Sequence, residues 1–336
     1  MVCQCVIASL GWAFLVFLIS RLAVIVFNLI YPFFIATPIN LLKAAGSKWA
    51  VVTGSTDGIG KAYASELARR GFSIVLISRT QSRLDDVKKE ILAESNVEVK
   101  TVAFDFTTTN VGEYEKTILP LFDELEVGIL GNGFCFNTLR FNNVGVSFNY
   151  PELMHKAEGG LQKLADVDIV NTLPVTLLSA AVLPSMIERN SGIIVNISSA
   201  VSYSPLDMLS VYSASKKYVT WLSKILQKEC AKTNIIVQTI CPMLVTTKMS
   251  KVELFESQVS RPSFFIVKAE DFVKSAIGTI GIVAETTGCF AHQIEVEIIK
   301  NLPEWLVVPF LSEQTKIVRK KALAKKARDA AAAAQE

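Results

Sequence analysis

A tyrosine and a lysine four residues apart form the pair with the clearest chemical potential in this chain. Tyr212 and Lys216 lie in the segment Tyr-Ser-Ala-Ser-Lys, and this spacing puts both side chains on one face of a helix. A phenol with a pKa of about 10 is a poor acid or base at neutral pH, but a neighbouring ammonium group favours the phenolate and lowers that pKa. The pair therefore predicts a general acid–base catalyst. The alternative is ordinary helix surface, which most Tyr–Lys pairs at this spacing form.

A serine precedes this pair by thirteen residues, at the end of a segment that has the composition of a buried strand. The segment is Asn196-Ile-Ser-Ser199, and at the carboxyl end of a strand Ser199 is placed to hydrogen-bond a substrate carbonyl. A glycine-rich turn and this serine both follow strands of one predicted sheet and precede Tyr212. Their conjunction favours the catalytic interpretation of the pair over the structural one.

The glycine-rich turn has the spacing Thr-Gly-x-x-x-Gly-x-Gly, with its glycines at Gly54, Gly58 and Gly60. A strand, Lys48–Thr53, leads into it, and a predicted helix follows. Glycines allow a tight turn and let a pyrophosphate approach the backbone N–H groups at a helix N-terminus. The position of this turn at the first strand–helix junction predicts a dinucleotide site and not only a structural turn.

Two charged residues at strand ends bear on which dinucleotide is bound. Arg79 ends the second predicted strand, where an NAD site usually carries an acid and where an arginine suits the 2′-phosphate of NADP. This favours NADP(H) as the cofactor, although a solvated arginine is the simpler alternative. Asp105 ends the third predicted strand and is placed to meet the adenine amino group, but an acid there can also be an ordinary cap.

The body of the chain alternates short β-branched runs with amphipathic stretches, which predicts βαβ units and a parallel sheet. We therefore expect an α/β fold, a Rossmann-type doubly wound parallel sheet with helices on both faces, plus an N-terminal membrane helix. The predicted strands are 49–53, 73–78, 97–104, 193–198, 235–240 and 288–296. The predicted helices are 60–70, 82–95, 112–125, 166–189, 212–232 and 269–283.

The N-terminus is apolar and the C-terminus is basic. Residues 1–46 carry only Arg21 and Lys43 as charges, and 2–20 are free of charge, close to the 20 or so apolar residues that a spanning helix needs. We expect an uncleaved anchor with one span, or two if 22–42 also crosses. A signal peptide is the alternative, but the basic n-region is missing. The predicted organisation is an anchor over 1–46, a dinucleotide-binding body over 47–312 and a basic, Ala-rich tail over 313–336.

Charge and composition exclude several classes of function. The net charge is +3, yet it arises from seven basic residues within 316–328, so a nucleic-acid-binding face is not expected. Only two histidines are present, and the six cysteines form no CxxC pair. A histidine-based metal site is therefore improbable, and the thiols are expected to be reduced and to lie on the cytosolic side.

These motifs together resemble those of the classical short-chain dehydrogenases/reductases over residues 48–300. The matching residues are Thr53-Gly54-x-x-x-Gly58-x-Gly60, Asn142-Asn143-x-Gly145, Asn171, Ser199 and Tyr212-x-x-x-Lys216. The chain is most similar to the membrane-bound branch that comprises very-long-chain 3-oxoacyl-CoA reductases and 17β-hydroxysteroid dehydrogenases. That closer similarity rests on the apolar N-terminus and on segments such as NNVGVSFNYPE (142–152) and VTTKMSK (245–251).

The resemblance implies a role for each matching residue. Tyr212 would protonate the developing alkoxide as hydride arrives, Ser199 would hold the substrate oxygen, and Lys216 would contact the nicotinamide ribose. Asn171 would hold a water in the proton relay. The remaining residues implied or predicted to bind NADP(H) are Gly54, Ser55, Gly58, Ile59, Gly60, Arg79, Asp105, Asn142, Gly145 and Thr247. A loop over 248–268, with Leu254, Phe255, Phe264 and Phe265, would cover the substrate.

One segment departs from the family pattern. A strand over 126–130 is expected to run directly into Asn142-Asn143, but Gly131–Arg140 intervenes. Three explanations stay open. The insertion is an extruded loop after which Phe141 resumes the strand, or Thr138–Phe141 replaces the native strand, or the segment is translated from a retained or mispredicted intron.

Three functions are compatible with these features. The first is NADPH-dependent reduction of a 3-oxoacyl-CoA to a 3-hydroxyacyl-CoA in very-long-chain fatty-acid elongation, at the endoplasmic reticulum membrane with the catalytic domain facing the cytosol. The second is 17β-hydroxysteroid or sterol oxidoreduction. The third is a non-catalytic membrane or lipid-droplet scaffold. The expected partners are a lipid-like carbonyl substrate, the membrane, other elongation-cycle enzymes and a second copy of the chain, but no nucleic acid.

Overall fold

The computed structural model describes residues 4–132, 150–246 and 266–333. Short runs of β-branched residues form the strands, and in the first two strands every residue is buried, as expected when helices cover both faces of a parallel sheet. The strands are β1 (Trp49–Thr53), β2 (Ser73–Ser78), β3 (Val99–Ala103), β4 (Val127–Asn132), β5 (Gly192–Ile197), β6 (Ile235–Ile240), β7 (Val245–Thr246), β8 (Val267–Lys268) and β9 (Glu285–Thr286).

Eleven α-helices are numbered within the described ranges, and two short turns are 3₁₀ helices, Met154–Lys156 and Ala200–Ser202. A π-helical turn, Tyr31–Ile35, extends the first helix. The helices are α1 (Gln4–Ile30), α2 (Leu41–Ala45), α3 (Gly58–Arg69), α4 (Gln81–Glu94), α5 (Val111–Thr117), α6 (Leu119–Glu124), α7 (Gly160–Glu188), α8 (Ser210–Glu229), α9 (Ala269–Gly278), α10 (Phe290–Asn301) and α11 (Glu304–Ala333).

Seven of the strands form one parallel sheet in the order β3-β2-β1-β4-β5-β6-β9. Parallel neighbours require crossover helices, and these cover both faces with separate apolar clusters. One cluster centres on Phe72, Leu76 and Ile59, and the other on Val51, Leu130 and Leu178. The predicted fold class, a doubly wound parallel sheet with helices on both faces, is confirmed.

One predicted strand is wrong. Residues 288–296 contain a short β-branched run, which predicts a strand. They fall largely in α10, where His292 and Val296, four residues apart, are buried while Ile298 is 56% exposed. Burial follows the period of a helix, because one face of α10 packs against the sheet. The edge strand is instead the two-residue β9.

Strand β4 extends two residues beyond its predicted end. Gly131 pairs with Val195 and Asn132 with Asn196, so the first two residues of the expected insertion belong to the sheet. The expectation that the interruption begins at Gly131 is therefore wrong, since the turn-like composition of Gly131–Gly133 hid the strand. The rest of that segment, with Phe141, lies in 133–149, outside the described residues.

Asn132 begins a chain of buried amide and hydroxyl groups that crosses three elements. Its Nδ2 donates to Asn196 Oδ1 at 2.9 Å, and Asn196 Nδ2 donates to Ser223 Oγ of α8 at 2.9 Å. Asn132, Asn196 and Ser223 have no solvent exposure. These bonds join β4 to β5 and β5 to α8. Such pairing is needed because a buried polar group without a partner is unfavourable.

Helix α1 and its π-helical extension form a single apolar rod. The segment Val6–Ile35 is long and apolar enough to cross a membrane, and its most apolar stretch is not buried in the body. Helix α7 is also long and apolar enough, but its buried Val170 and Leu178 make it a core helix. Within the described chain, residues 22–35 continue α1 and do not form a second separate span. Phe34 at the end of this rod contacts Phe290 of α10 at 4.8 Å between ring centroids.

Helix α11 crosses the expected boundary between body and tail at residue 312 and is held on the body by ion pairs. Arg319 Nη2 lies 2.5 Å from Glu152 Oε2, and Lys326 Nζ lies 2.6 Å from Glu158 Oε1. The side chain of Glu152 is only 7% exposed. Two basic residues of the tail therefore pair with acids of the body.

We expect that replacing Asn132 with leucine destabilises the protein by about 1–3 kcal/mol, because the buried Asn196 Oδ1 loses its donor. Thermal unfolding of the detergent-solubilised protein measures the change. Asn96→Leu is the matched control, since Asn96 is exposed in the loop after α4. An equal change in both variants would contradict the proposed importance of the buried chain.

A second prediction concerns Arg319→Gln and pH. The hydrogen bond from Arg319 lowers the pKa of Glu152 below its ordinary value of 4.5. A depressed carboxyl pKa stabilises the fold above that ordinary value, and this contribution is lost as the pH falls through the lowered pKa. The difference in thermal midpoint between wild type and Arg319→Gln should therefore be present at neutral pH and shrink in acid. Lys320→Gln, at an exposed neighbour, should show no such pH dependence.

Candidate active site

The predicted site residues lie along the carboxyl edge of the sheet. The order of strands reverses between β1 and β4, which run side by side while their crossovers lead to opposite sides. Ligands of open α/β sheets bind in the crevice at such a point. The glycine turn follows β1, and Ser199 follows β5, so both sites face this crevice.

The glycine turn has the shape needed to bind a pyrophosphate. Gly54 and Gly58 both have φ of +58°, a conformation that side chains disfavour. A Cβ on Gly60 would lie 2.3 Å from the carbonyl oxygen of Gly54, so only glycine fits there. Helix α3 begins at Gly58, whose N–H donates to the Asp57 carboxylate at 2.7 Å. The turn therefore places the N-terminus of α3 at the crevice, where an anion is favoured.

Two further residues of the turn hold it in place. The backbone N–H of Ser55 donates to Ile77 of β2, and Ser55 is fully buried. Ile59 is also fully buried, within the apolar cluster under the sheet. Both predicted cofactor residues therefore support the loop, and the part they play in binding remains a prediction.

Arg79 and Asp105 occupy neighbouring strand ends. Arg79 follows β2 directly and is exposed. The Asp105 carboxylate accepts hydrogen bonds from the Thr107 N–H and hydroxyl, both at 3.0 Å, so it caps its own turn. The predicted contacts of Arg79 with a 2′-phosphate and of Asp105 with adenine stay predictions.

Ser199 lies at the start of a 3₁₀ turn that is bonded to two other elements. Its Oγ accepts from the Val201 N–H at 3.4 Å, and the next residue, Ala200, donates its N–H to the Pro242 carbonyl at 3.0 Å. The preceding Ser198 hydroxyl donates to the Lys216 carbonyl of α8 at 2.7 Å. The serine is therefore positioned relative to both α8 and the loop after β6.

Tyr212 and Lys216 lie on one face of α8, as their spacing predicts. Tyr212 is 5% exposed and packs on Val167 of α7. Lys216 is fully buried, and its Nζ donates to the Ile197 carbonyl at 3.3 Å. The same Nζ lies 5.8 Å from the centroid of the Tyr212 ring. The amine of Lys216 therefore lies beside the Tyr212 ring in the buried part of the site.

Asn171 lies on α7 and is bonded to the same part of α8. Its Nδ2 donates to Ser215 Oγ at 3.0 Å, and Ser215 Oγ donates to the Tyr212 carbonyl at 2.9 Å. Asn171 is fully buried. Asn171 is thus joined through Ser215 to the turn of α8 that carries Tyr212.

A second tyrosine near the serine turn has a different environment. The Tyr203 hydroxyl donates to Glu285 Oε1 of β9 at 3.1 Å, and Lys300 Nζ lies 3.8 Å from the Tyr203 ring centroid. Burial raises the pKa of Tyr203, so this phenol stays protonated. We conclude that Tyr203 anchors the turn that begins at Ser199.

His292 was not predicted to be part of the site. It is fully buried on α10, and its Nδ1 accepts from the Met243 N–H at 3.3 Å. Met243 stands in the loop after β6, directly after Pro242. An isolated histidine in the sequence does not indicate such a contact, because the contact forms only when α10 packs on the sheet.

Several predicted residues lie outside the described part of the chain. These are Asn142 and Gly145 of the Asn-Asn motif, Thr247, and the apolar residues Leu254, Phe255, Phe264 and Phe265 of the expected substrate loop. Within the described ranges, Ser199, Tyr212, Lys216 and Asn171 are brought together where β5 meets α7 and α8. This arrangement can donate a proton to a carbonyl oxygen held at the crevice.

Comparison with known proteins agrees with this geometry. A short chain dehydrogenase family profile matches residues 48–256. A very-long-chain 3-oxoacyl-CoA reductase of Caenorhabditis elegans is 46% identical over 331 residues, which cover 98% of this chain and 99% of the relative. Putative steroid dehydrogenase 2 of the same organism is 45% identical and covers 94% of this chain and 95% of its own length.

A solved structure shows the same architecture with a cofactor bound. The short-chain dehydrogenase from Sphingobium yanoikuyae in complex with NADPH is 27% identical, with a TM-score of 0.55, covering 68% of this chain and 82% of that chain. The motifs, the sheet order and the relatives agree. The chain therefore belongs to the short-chain dehydrogenase family of oxidoreductases.

Proposed function

We propose that this protein is an NADPH-dependent reductase that converts a 3-oxoacyl-CoA to a 3-hydroxyacyl-CoA in very-long-chain fatty-acid elongation. The observation that carries the proposal is the attachment of the Ser199 turn to α8. Ser198 bonds to the Lys216 carbonyl, and Lys216 Nζ bonds to the Ile197 carbonyl and lies 5.8 Å from the Tyr212 ring centroid. The chain also matches a very-long-chain 3-oxoacyl-CoA reductase over nearly its full length.

The choice of NADPH rests on the turn and on Arg79. The absence of a Cβ at Gly60 and the N-terminus of α3 fit a pyrophosphate. Arg79 at the end of β2 offers a cation where the 2′-phosphate of NADP would lie. The related enzyme from Sphingobium yanoikuyae binds NADPH, which agrees with this assignment. Asn142, Gly145 and Thr247 are proposed to complete the site.

NADPH, when bound, supplies the hydride that adds to the substrate carbonyl carbon. The Ser199 hydroxyl holds the carbonyl oxygen, and the Tyr212 hydroxyl donates its proton to that oxygen as negative charge develops there. The buried Lys216 ammonium stabilises the tyrosinate that remains. Asn171 holds a water through which Tyr212 and Lys216 regain the proton from solvent.

A steroid substrate is the second candidate. Putative steroid dehydrogenase 2 is nearly as similar as the reductase, at 45% identity. Both substrates present a ketone on an apolar body, so Ser199 and Tyr212 would act in the same way on either. The acyl-CoA is preferred because the relative with the fuller match is named for it.

The location proposed for the enzyme is the endoplasmic reticulum membrane, with the catalytic body facing the cytosol. The exposed apolar helix α1 supports anchoring. The basic residues Lys43 and Lys48 after it support the cytosolic side, because positive charge is retained there. Other enzymes of the elongation cycle and a second copy of the chain are proposed partners.

The third candidate, a non-catalytic scaffold with the same fold, predicts no turnover of either substrate.

Cofactor binding provides one test. In Gly60→Ala the new methyl group would clash with the Gly54 carbonyl, so we expect the Kd for NADPH to rise on the order of tenfold or more, equivalent to about 1.4 kcal/mol. NADPH fluorescence titration of the purified protein measures it. Gly278→Ala is the control, since a Cβ added at Gly278 would meet no other part of the protein within 4 Å. Equal affinities of both variants would exclude the turn as the pyrophosphate site.

Turnover provides the second test. Microsomes or proteoliposomes containing the full chain are assayed for NADPH oxidation with a long 3-oxoacyl-CoA and, separately, with estrone. We expect turnover of the acyl-CoA and a loss of about 10²–10⁴-fold in kcat for Tyr212→Phe, because general acid catalysis contributes that much. Tyr218→Phe is the control, since Tyr218 is on the same helix, 42% exposed, and bonded to Thr176.

The outcomes separate the three functions. Turnover of estrone alone would replace the acyl-CoA by a steroid. Failure of the wild type to bind NADPH or reduce either substrate would favour the scaffold. Undiminished turnover in Tyr212→Phe would remove the tyrosine from the mechanism.

A further inference from the structure

Large apolar side chains are exposed where α10 ends and α11 begins. Their exposed fractions range from 43% to 76%, with Trp305 the most exposed. We refer to this set as the α10–α11 surface, and its members are Ile298, Leu302, Trp305, Leu306 and Phe310. Isolated apolar residues are normal on a protein surface, but a run of this kind marks an interaction site.

The α10–α11 surface adjoins the candidate membrane helix. Arg21 of α1 donates to the Asn301 side chain at 3.0 Å, and Asn301 is the last residue of α10. Arg21 is also the first charged residue after the uncharged stretch 2–20. The seventeen uncharged helical residues 4–20 cover about 26 Å, close to the hydrocarbon thickness of a bilayer. The surface is therefore at the level where the uncharged part of α1 ends.

The outward face of α11 changes from apolar to basic along the helix. Phe310, Ile317, Lys321 and Arg328 are spaced by seven, four and seven residues, so they share one face. Phe310 is 63% and Ile317 45% exposed. The acid Glu313 on this side pairs with Lys316 at 2.5 Å. An apolar half followed by basic residues is the pattern of a helix lying in a membrane interface.

The inner side of the same helix is already occupied by the body. Arg319 and Lys326 pair with Glu152 and Glu158. Thr315 and Ala322, on the same side of the helix, are buried. The orientation of α11 is therefore determined by the body, and the apolar and basic face is directed away from it.

We propose that the α10–α11 surface rests in the interface of the same bilayer that α1 crosses, as a second membrane contact of the body. Trp305 lies at headgroup depth, where tryptophan is favoured. Lys321 and Arg328 lie against anionic headgroups, which attract basic side chains near such a surface. The proposal rests on α1 being the membrane anchor, as given under the proposed function.

This contact would set the position of the active site relative to the membrane. Ser312 of α11 donates to the Asp207 carboxylate at 2.8 Å, in the loop that leads to Tyr212. Glu152, the partner of Arg319, donates its N–H to the Met208 carbonyl in that loop at 3.0 Å. A membrane-bound α11 thus holds the surroundings of Tyr212 near the bilayer, where the acyl chain of a very-long-chain substrate resides.

Photo-crosslinking to lipid tests the proposal. The full chain is reconstituted in phosphatidylcholine vesicles containing phosphatidylserine, with benzoylphenylalanine in place of Trp305 or Phe310. The control position is Leu92 of α4, which is 46% exposed. Helix α4 packs at the β3 edge, six strand spacings or about 29 Å from the β9 edge. We expect on the order of tenfold more lipid adduct at 305 and 310 than at 92.

Each other outcome overturns the proposal. Equal lipid labelling at all three positions would show that the surface is not in the membrane. Cross-linking of 305 or 310 to a second copy of the chain, seen as a dimer by mass, would make the surface a protein interface. Circular dichroism establishes that each variant is folded. NADPH oxidation is recorded on the same vesicles before irradiation, so failure of the proposed activity is detected separately from failure of the membrane contact.

Discussion

The seven strands of the central sheet all run in one direction, and this constraint determines where chemistry can occur in the molecule. Parallel neighbours need a crossover between them, so each strand ends at the same edge and each crossover covers a face. The turn after β1 and the serine turn after β5 therefore face one crevice, although they are separated by about 140 residues of chain. Helix α8, which carries the proposed catalytic residues Tyr212 and Lys216, is the crossover that follows β5.

Within this fold, a small number of buried polar contacts positions the proposed catalytic residues. Lys216 places a charged group where water is excluded, which is unfavourable unless the charge is compensated. Its bond to the Ile197 carbonyl and its proximity to Tyr212 provide that compensation and join α8 to β5. Asn196 and Ser223 connect the same two elements, and Asn132 extends this chain of bonds to β4. The stability of the fold and the proposed catalysis thus depend on the same interface.

The apolar N-terminus and the basic C-terminus are spatially related despite lying at opposite ends of the chain. Arg21 contacts the end of α10, and α11 continues from there across the segments beside Tyr212. The basic residues of the tail have two roles by position. Arg319 and Lys326 bind the body, whereas the outward-facing Lys321 and Arg328 remain available to a lipid surface.

The amino-acid sequence alone determined the fold class, most strand positions, the glycine turn and the shared helix face of Tyr212 and Lys216, because these depend on local spacing and periodicity. Tertiary structure decided the rest. Most of residues 288–296 form a helix and not the predicted strand, because one face of that helix packs against the sheet. Asn132 lies in the sheet, where its amide donates to Asn196, 64 residues further along the chain. The bond from the Met243 N–H to His292 is another contact between residues that are distant in sequence. Such contacts join residues that are distant in sequence, and no local pattern encodes them.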